Sequence, residues 1–400
     1  MKPSLLAAVL AAVTLLVLSP ALHAPFFFDD TGDIVDNPEI RQLWPPLWLT
    51  AGPPESNALA GRPVSALSFA LVYAVAGESA VAQHAVNLLL HAAAALVLFG
   101  LVRRTLLLPR AGPFDPEVAA ALAAVSALVW AVHPLNTEPV AYAIQRTEQL
   151  WSFCYLLTLY AALRSTEDRR WTAVAIAACA VGMGCKEIMV SAPLAVLAYD
   201  RVIREKGALR QRRPLYLGLA AGWLVLGALL ITGKQGAVAL HSDDPLTPWQ
   251  YLFTQGRVIA RYLRLVLWPH PLAIVYDWEQ VTPLAAGLAP FLLVAALFLT
   301  TAWALWRRHP LGFVGACVFL ALAPSSSVLP LPTEIAAERR MYLPSAALVT
   351  ALVVAAWRGL SRLSRPRAVG FAAAAIVAVS LAAGARARLH DYRSTLAIWE

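Results

Sequence analysis

The chain has 400 residues, 59% of them hydrophobic and only 14% charged, against about 25% charged in soluble domains. So apolar a chain does not fit one water-soluble core and needs lipid as the solvent for many separate apolar runs. Its net charge of +8 sits in the short gaps between those runs, a membrane-orientation pattern that argues against a nucleic-acid partner and for a lipid bilayer.

The first apolar run, 5–22, follows Lys2. Small residues near Ala21 and Ala24 resemble a signal-peptide cleavage site. Pro25 would follow that cut, however, and the run is long enough to span, so it reads as an uncleaved first span. Directly after it comes Phe26-Phe27-Phe28-Asp29-Asp30. Two adjacent carboxylates at the mouth of a membrane helix are expensive, and such groups are functional-site candidates by default.

A polar and aromatic stretch, about 23–83, holds Trp44, Pro45, Pro46, Trp48 and Arg62-Pro63 and reads as a loop with short interfacial helices. Further spans are expected at 84–102, 117–132, 150–163, 171–184, 188–199, 215–232, 284–306, 311–329, 344–357 and 369–385. The sum is an all-α polytopic bundle of about eleven spans, one membrane domain over 1–385 with a second long loop at 233–283. Residues 386–400 begin a tail.

Five basic clusters punctuate the runs: Arg103, Arg104 and Arg110; Arg164, Arg169 and Arg170; Arg201, Arg204, Lys206, Arg210, Arg212 and Arg213; Arg307 and Arg308; Arg358, Arg362, Arg365 and Arg367. Assigning all five to the cytoplasm puts the N-terminus inside and the other gaps and the tail outside. Counting 255–268 as a span would break that alternation. With Arg257, Arg261 and Arg264 it reads as a helix lying on the outer surface or dipping in and back, its arginines at lipid headgroups.

The outward gaps hold acids and bases beside Pro or aromatic residues. His84, Asn87 and His91 share one helix face and read most simply as interhelical hydrogen-bonders. Then come His133-Pro134 with Glu138-Pro139, Gln145-Arg146-Thr147-Glu148, Lys186-Glu187, and Glu338-Arg339-Arg340-Met341-Tyr342. Lys186 with Glu187, and Glu338 with Arg339, divide evenly between local ion pairs and chemistry. Asp243-Asp244 reads as a solvated loop pair, and Cys154, Cys179, Cys185 and Cys317 as packing residues.

A carboxylate at the outer face can act as general base toward an alcohol. Fixed cations nearby can hold a phosphate leaving group, and an apolar groove can hold a lipid tail. Together these suit sugar transfer from a polyprenyl-phosphate donor to a hydroxyl. A transporter or flippase of lipid-linked sugars also uses membrane acids and bases, but it calls for polar residues deep in several spans. A third reading is a non-catalytic membrane anchor. Asp30 and Asp33 could both reach a divalent ion, yet no ligand motif accompanies them, so no metal site or cofactor is assigned.

The ordered motifs resemble one family. They are Phe-Asp29-Asp30, Asn37, Arg62-Pro63 with Leu67-Ser68-Phe69, His84, Asn87, His91, His133-Pro134, Glu138-Pro139-Val140, Arg146, Lys186-Glu187, and Glu338-Arg339 with Tyr342-Leu343-Pro344-Ser345. Over nearly the whole chain this is similar to the membrane part of the transmembrane and tetratricopeptide-repeat-containing proteins, O-mannosyltransferases with a GT-C fold. The stretch from Arg388 looks like the lead-in to such repeats.

The resemblance implies an inverting transferase that takes a sugar from a polyprenyl phosphate to a protein Ser or Thr hydroxyl, or to a glycan. Asp29 or Asp30 would be the base, Asp29 favoured. Arg339, Arg146 and Lys186 would hold the donor phosphate. Arg62, His84, His91, His133, Glu138, Glu187, Glu338 and Tyr342 would support them. Gly61 and Arg340 depart from the family's pattern. A composition rich in Ala, Leu and Arg suggests a bacterial inner-membrane member with an undecaprenyl-linked donor and a periplasmic site.

Overall fold

The computed structural model describes residues 2–49, 58–112, 114–204, 211–232, 247–276, 278, 283–326, 334–395 and 397–398. Lys206, Arg210 and Asp243-Asp244 lie outside them. The described residues form helices and no strand.

The chain opens with α1 (Pro3–Leu18), a 3-10 turn at Ser19–His23 and the Asp29-Asp30 loop. Next come α2 (Pro63–Ala76), α3 (Ala80–Leu106), α4 (Pro116–Ala131) and the short α5 (Thr137–Ala141). Then follow α6 (Arg146–Arg164), α7 (Arg170–Met183), α8 (Ala192–Ile203) and α9 (Arg213–Thr232). The last five are α10 (Pro248–Leu267), α11 (Leu284–Trp306), α12 (Pro310–Leu322), α13 (Tyr342–Leu360) and α14 (Pro366–Asp391).

Local chemistry sets the boundaries. Proline, whose missing N–H costs nothing in a first turn, opens α1, α2, α4, α12 and α14. Gly77, at φ +61°, ends α2 and donates its N–H to the Tyr73 carbonyl at 2.7 Å. Ser79 then caps α3, its Oγ accepting from the Ala82 N–H.

Six of the described helices are long and apolar enough to cross a bilayer, seven if the pair Pro116–Ala131 and Pro134–Ala141, bent by 60°, is one span. The chain is thus a multi-pass membrane protein, but the expected count of about eleven is not reached by that measure. Several of the runs counted as spans are helices too short to cross alone. α7 has 14 residues, α12 13 and α8 12, where about 20 are needed. Part of the expected first loop is itself an apolar helix, α2.

α3 lies at the centre, against α1, α4 and α6. Contact there is close: a Cβ on Gly100 would stand 2.9 Å from the Tyr160 ring, so only glycine lets α3 meet α6 at that level. Trp130, Trp151, Tyr155 and Tyr342 are fully buried around this centre.

The bundle separates its charges. Arg104 pairs with Glu167 at 2.5 Å, and Arg204 reaches the Leu163 carbonyl at 3.0 Å. Arg201 reaches that of Leu305 at 3.1 Å, and Arg358 that of Ala111 at 3.1 Å. Described members of all five basic clusters therefore meet at one end, and the Asp29 loop, Glu138, Glu338 and Arg339 meet at the other. α10 belongs to that second end. Its arginines also contact the chain: Arg264, itself exposed, donates to the His270 carbonyl at 2.6 Å, and Arg261 stacks on Tyr276.

Candidate active site

The Asp29-Asp30 loop is pinned by aromatic packing. Phe27 is buried and stacks on Tyr142, ring centroids 4.5 Å apart. The Tyr142 hydroxyl accepts the Asp29 N–H at 3.0 Å. Phe28, between them, holds φ +50°, a left-handed conformation that costs about 1–3 kcal/mol for a non-glycine residue and needs surrounding structure to persist. A single π-type turn, Thr31–Val35, follows.

The two carboxylates differ in environment. Asp30 is fully buried and accepts N–H groups from Ile144 at 2.7 Å and Phe27 at 3.3 Å. Asp29 is exposed, and among the described residues no side-chain ion pair holds its carboxylate. Burial pushes the Asp30 carboxyl from its ordinary 3.8 up to about 8, backbone N–H groups opposing. A carboxyl raised in this way binds more protons folded than unfolded across that window. Stability from this group is therefore full at low pH and is lost as pH rises from about 4 to about 8. Thermal unfolding in detergent across this range should show that decline, and Asp30→Asn should flatten it. An unchanged slope in the variant would contradict the assignment.

The cations form a second layer. Arg339 donates to Glu138 at 2.8 Å and pairs with Glu334. Glu334 also faces Arg340, whose guanidinium binds the carbonyls of Glu334 at 2.6 Å and Ile335 at 3.2 Å. Lys186 pairs with Glu148, which also accepts the Trp151 indole N–H. Burial lowers the Lys186 pKa, with Glu148 opposing. Arg62 grips Glu187 through contacts of 3.1–3.3 Å. Glu338 accepts from the Ala273 N–H at 2.7 Å, from the Tyr276 hydroxyl, and from Arg388 at 2.9 Å.

One short segment joins the two layers. Glu138 holds Arg339, Tyr142 holds the Asp29 backbone and Ile144 holds Asp30. Of the expected residues, Asp29, Asp30, Glu138 and Arg339 are thereby tied together, while Lys186, with Arg62 and Glu187 beside it, lies within electrostatic reach of Arg339's partner Glu334.

The other expected residues brace it. Arg146 is fully buried over the Phe69 ring at 4.1 Å. Its guanidinium donates to Asn87 Oδ1 at 2.7 Å, the Gln83 carbonyl and side chain at 2.8 and 2.6 Å, and the Ser68 carbonyl at 3.2 Å. A guanidinium has five N–H groups, so little of Arg146 is left for a ligand. His91 Nε2 donates to the Ala131 carbonyl at 2.9 Å, which leaves Nδ1 to accept the Tyr342 hydroxyl at 2.7 Å. His133 spans the Val266 carbonyl and the Leu135 N–H. His84 lies beside Phe26, ring centroids 6.4 Å apart. Glu148, Glu334, Tyr142, Tyr276 and Arg388 were missed as site residues. Glu148 was visible in the polar run after Gln145, but its partner Lys186 lies 38 positions away.

Among the described residues no three His, Cys, Asp or Glu side chains gather as metal ligands. Two apolar clefts run between helices. One, about 780 Å³, is lined by Leu10, Val125, Leu128 and Val353 and reaches His133. The other, about 530 Å³, lies between Leu98, Leu159 and Phe313, with Arg358 and Arg362 at its margin.

The sequence model of the dolichyl-phosphate-mannose-protein mannosyltransferase family matches residues 60–231. Protein O-mannosyl-transferase Tmtc2 of Drosophila melanogaster is 31% identical over 286 residues, which are 64% of this chain and 28% of that protein. Tmtc3 of the same organism is 26% identical, covering 80% of this chain and 42% of the relative. Mouse TMTC4 is 24% identical, covering 84% and 53%. The chain thus spans between about a quarter and a half of the length of these relatives. Among solved structures, apo ArnT from Cupriavidus metallidurans superposes with a TM-score of 0.53 at 16% identity, over 96% of this chain and 76% of that one. At that identity the likeness is one of fold.

Proposed function

We propose that this chain, kin to the protein O-mannosyl-transferases and sharing its fold with ArnT, is a membrane glycosyltransferase. It moves a sugar from a polyprenyl-phosphate donor to a hydroxyl of a protein or glycan, with inversion. The observation that carries this reading is the segment from Glu138 to Ile144, which ties an exposed carboxylate, Asp29, to a partly buried cation, Arg339. Base and leaving-group stabiliser are thereby held in register by one short buried segment.

In the proposed step Asp29 takes the proton of the acceptor hydroxyl. The oxygen attacks the sugar's anomeric carbon from the face opposite the phosphate. The bond from that carbon to the phosphate oxygen breaks, and the electron pair leaves on polyprenyl phosphate. Arg339 and Lys186, already desolvated, stabilise the departing charge. Asp30 and Arg146 hold the loop and the helix start beneath, and Arg62 holds Glu187 beside Lys186. An apolar cleft between helices accommodates the lipid tail.

The convergence of the five basic clusters supports a cytoplasmic assignment for that end, which puts the site at the extracytoplasmic face. In a bacterial inner membrane the donor would be undecaprenyl-linked. The test reconstitutes the protein in nanodiscs with radiolabelled polyprenyl-phosphate sugars and scores transfer to peptide and glycan acceptors. Transfer with inversion is expected. Labelled lipid crossing the bilayer of reconstituted vesicles without transfer would instead identify a flippase.

A further inference from the structure

We infer that the last turn of α14, through Arg388 and Tyr392, is a positioning device that keeps the cation layer and the acid loop in register. The inference rests on the proposed transferase reading for its kinetic consequence but not for its structural one. Arg388 donates to Glu338 at 2.9 Å, with the Glu338 side chain fully buried. Glu338 immediately precedes Arg339 and also receives Tyr276 and the Ala273 N–H. One carboxylate thus joins α14, the segment after α10 and the start of α13.

Four residues further along, Tyr392 is buried with its ring centroid 5.8 Å from that of Phe27. Phe27 stacks on Tyr142, which accepts the Asp29 N–H. A third contact fixes the same helix just ahead of the joining segment: a Cβ on Gly384 would stand 3.1 Å from Pro134, four residues before Glu138, and the helix packs on α5 as well. Arg386 also donates to the Leu16 carbonyl of α1 at 3.2 Å. The final turns of α14 therefore touch the acid loop, the cation loop and the segment between them.

The electrostatics give Arg388 a definite task. Glu338 and Glu138 are both buried acids near Arg339. With Arg388 in place, Glu338 is neutralised from the far side, and Arg339 stays directed to Glu138 and Glu334. Without Arg388, the uncompensated Glu338 competes for Arg339 and draws it out of place. Neither Arg388 nor Tyr392 touches the reacting groups, so both are positioning residues.

The experiment compares wild type, Arg388→Gln, Arg388→Lys and Tyr392→Leu in nanodiscs by hydrogen exchange and by transfer kinetics. Arg388→Gln is expected to speed exchange about tenfold across 338–341, and Tyr392→Leu across 26–30, with the helices elsewhere unchanged. kcat should fall about ten- to a hundredfold with donor KM nearly constant, and Arg388→Lys should recover part of it. Unchanged exchange at both loops overturns the inference, as does a uniform rise over the whole bundle, which would mark a merely structural role. Wild type without transfer would defeat the transferase reading, while the exchange data would still decide the positioning role. If Arg388→Gln fails to fold, Tyr392→Leu still decides: unchanged exchange across 26–30 in that variant overturns the inference.

Discussion

Asp29→Asn is expected to lower sugar transfer by about a thousandfold, the range of a lost general base, while undecaprenyl-phosphate binding stays as in wild type. Asparagine keeps the shape and the backbone N–H that donates to Tyr142, so the loop should stand unchanged. It cannot take the acceptor's proton. Asp30→Asn separates the roles. The Asp30 oxygens are occupied by two backbone N–H groups in a buried site, and a neutral amide oxygen still accepts from Ile144. A loss of about tenfold or less is expected, in the manner of slight misplacement. The reverse ranking would assign the base to Asp30 and leave Asp29 as a surface acid.

Arg339→Gln should do more damage than its position in a loop suggests. It strands Glu138, fully buried, without its cation, while Glu334 keeps Arg340. Breaking a buried pair from one side costs about 3–5 kcal/mol, because the remaining charge is left uncompensated in a poor solvent. A marked fall in the unfolding temperature is expected, together with loss of undecaprenyl-phosphate binding. Adding Glu138→Gln should restore much of the stability, since it removes the stranded charge. It should leave lipid-phosphate binding absent, since the cation is still missing. Recovery of binding in the double variant would show that Arg339 only balances Glu138 and does not meet the donor.

The candidate site residues stand out in the chain because charge is scarce in it. Asp29-Asp30, Lys186-Glu187 and Glu338-Arg339 stand out where few ionisable groups are present. Arg340, which departs from the family's pattern, acquires its partner only in space, in Glu334. Arg146 stands out as strongly as Arg339 in sequence, but its guanidinium is spent on Asn87, Gln83 and Ser68. A residue's type indicates what it can bind. Which partner it has already bound depends on helices distant in the chain.

Hydropathy likewise determined that the chain enters a membrane, because transfer of apolar groups depends on composition over short windows. The count of crossings was decided by helix length and bending. α7, α8 and α12 are apolar but short, and α4 meets α5 at a break. The sequence by itself determined the lipid-embedded all-helical class, the basic clusters and the candidate acids and cations. Only the tertiary structure decided which carboxylate is exposed, which cations are already spent, and how Glu138, Tyr142 and Ile144 bind the two layers together. Burial and pairing are properties of contacts between distant segments, His91 with Tyr342 251 positions apart and Arg386 with Leu16 370, and no local pattern encodes them.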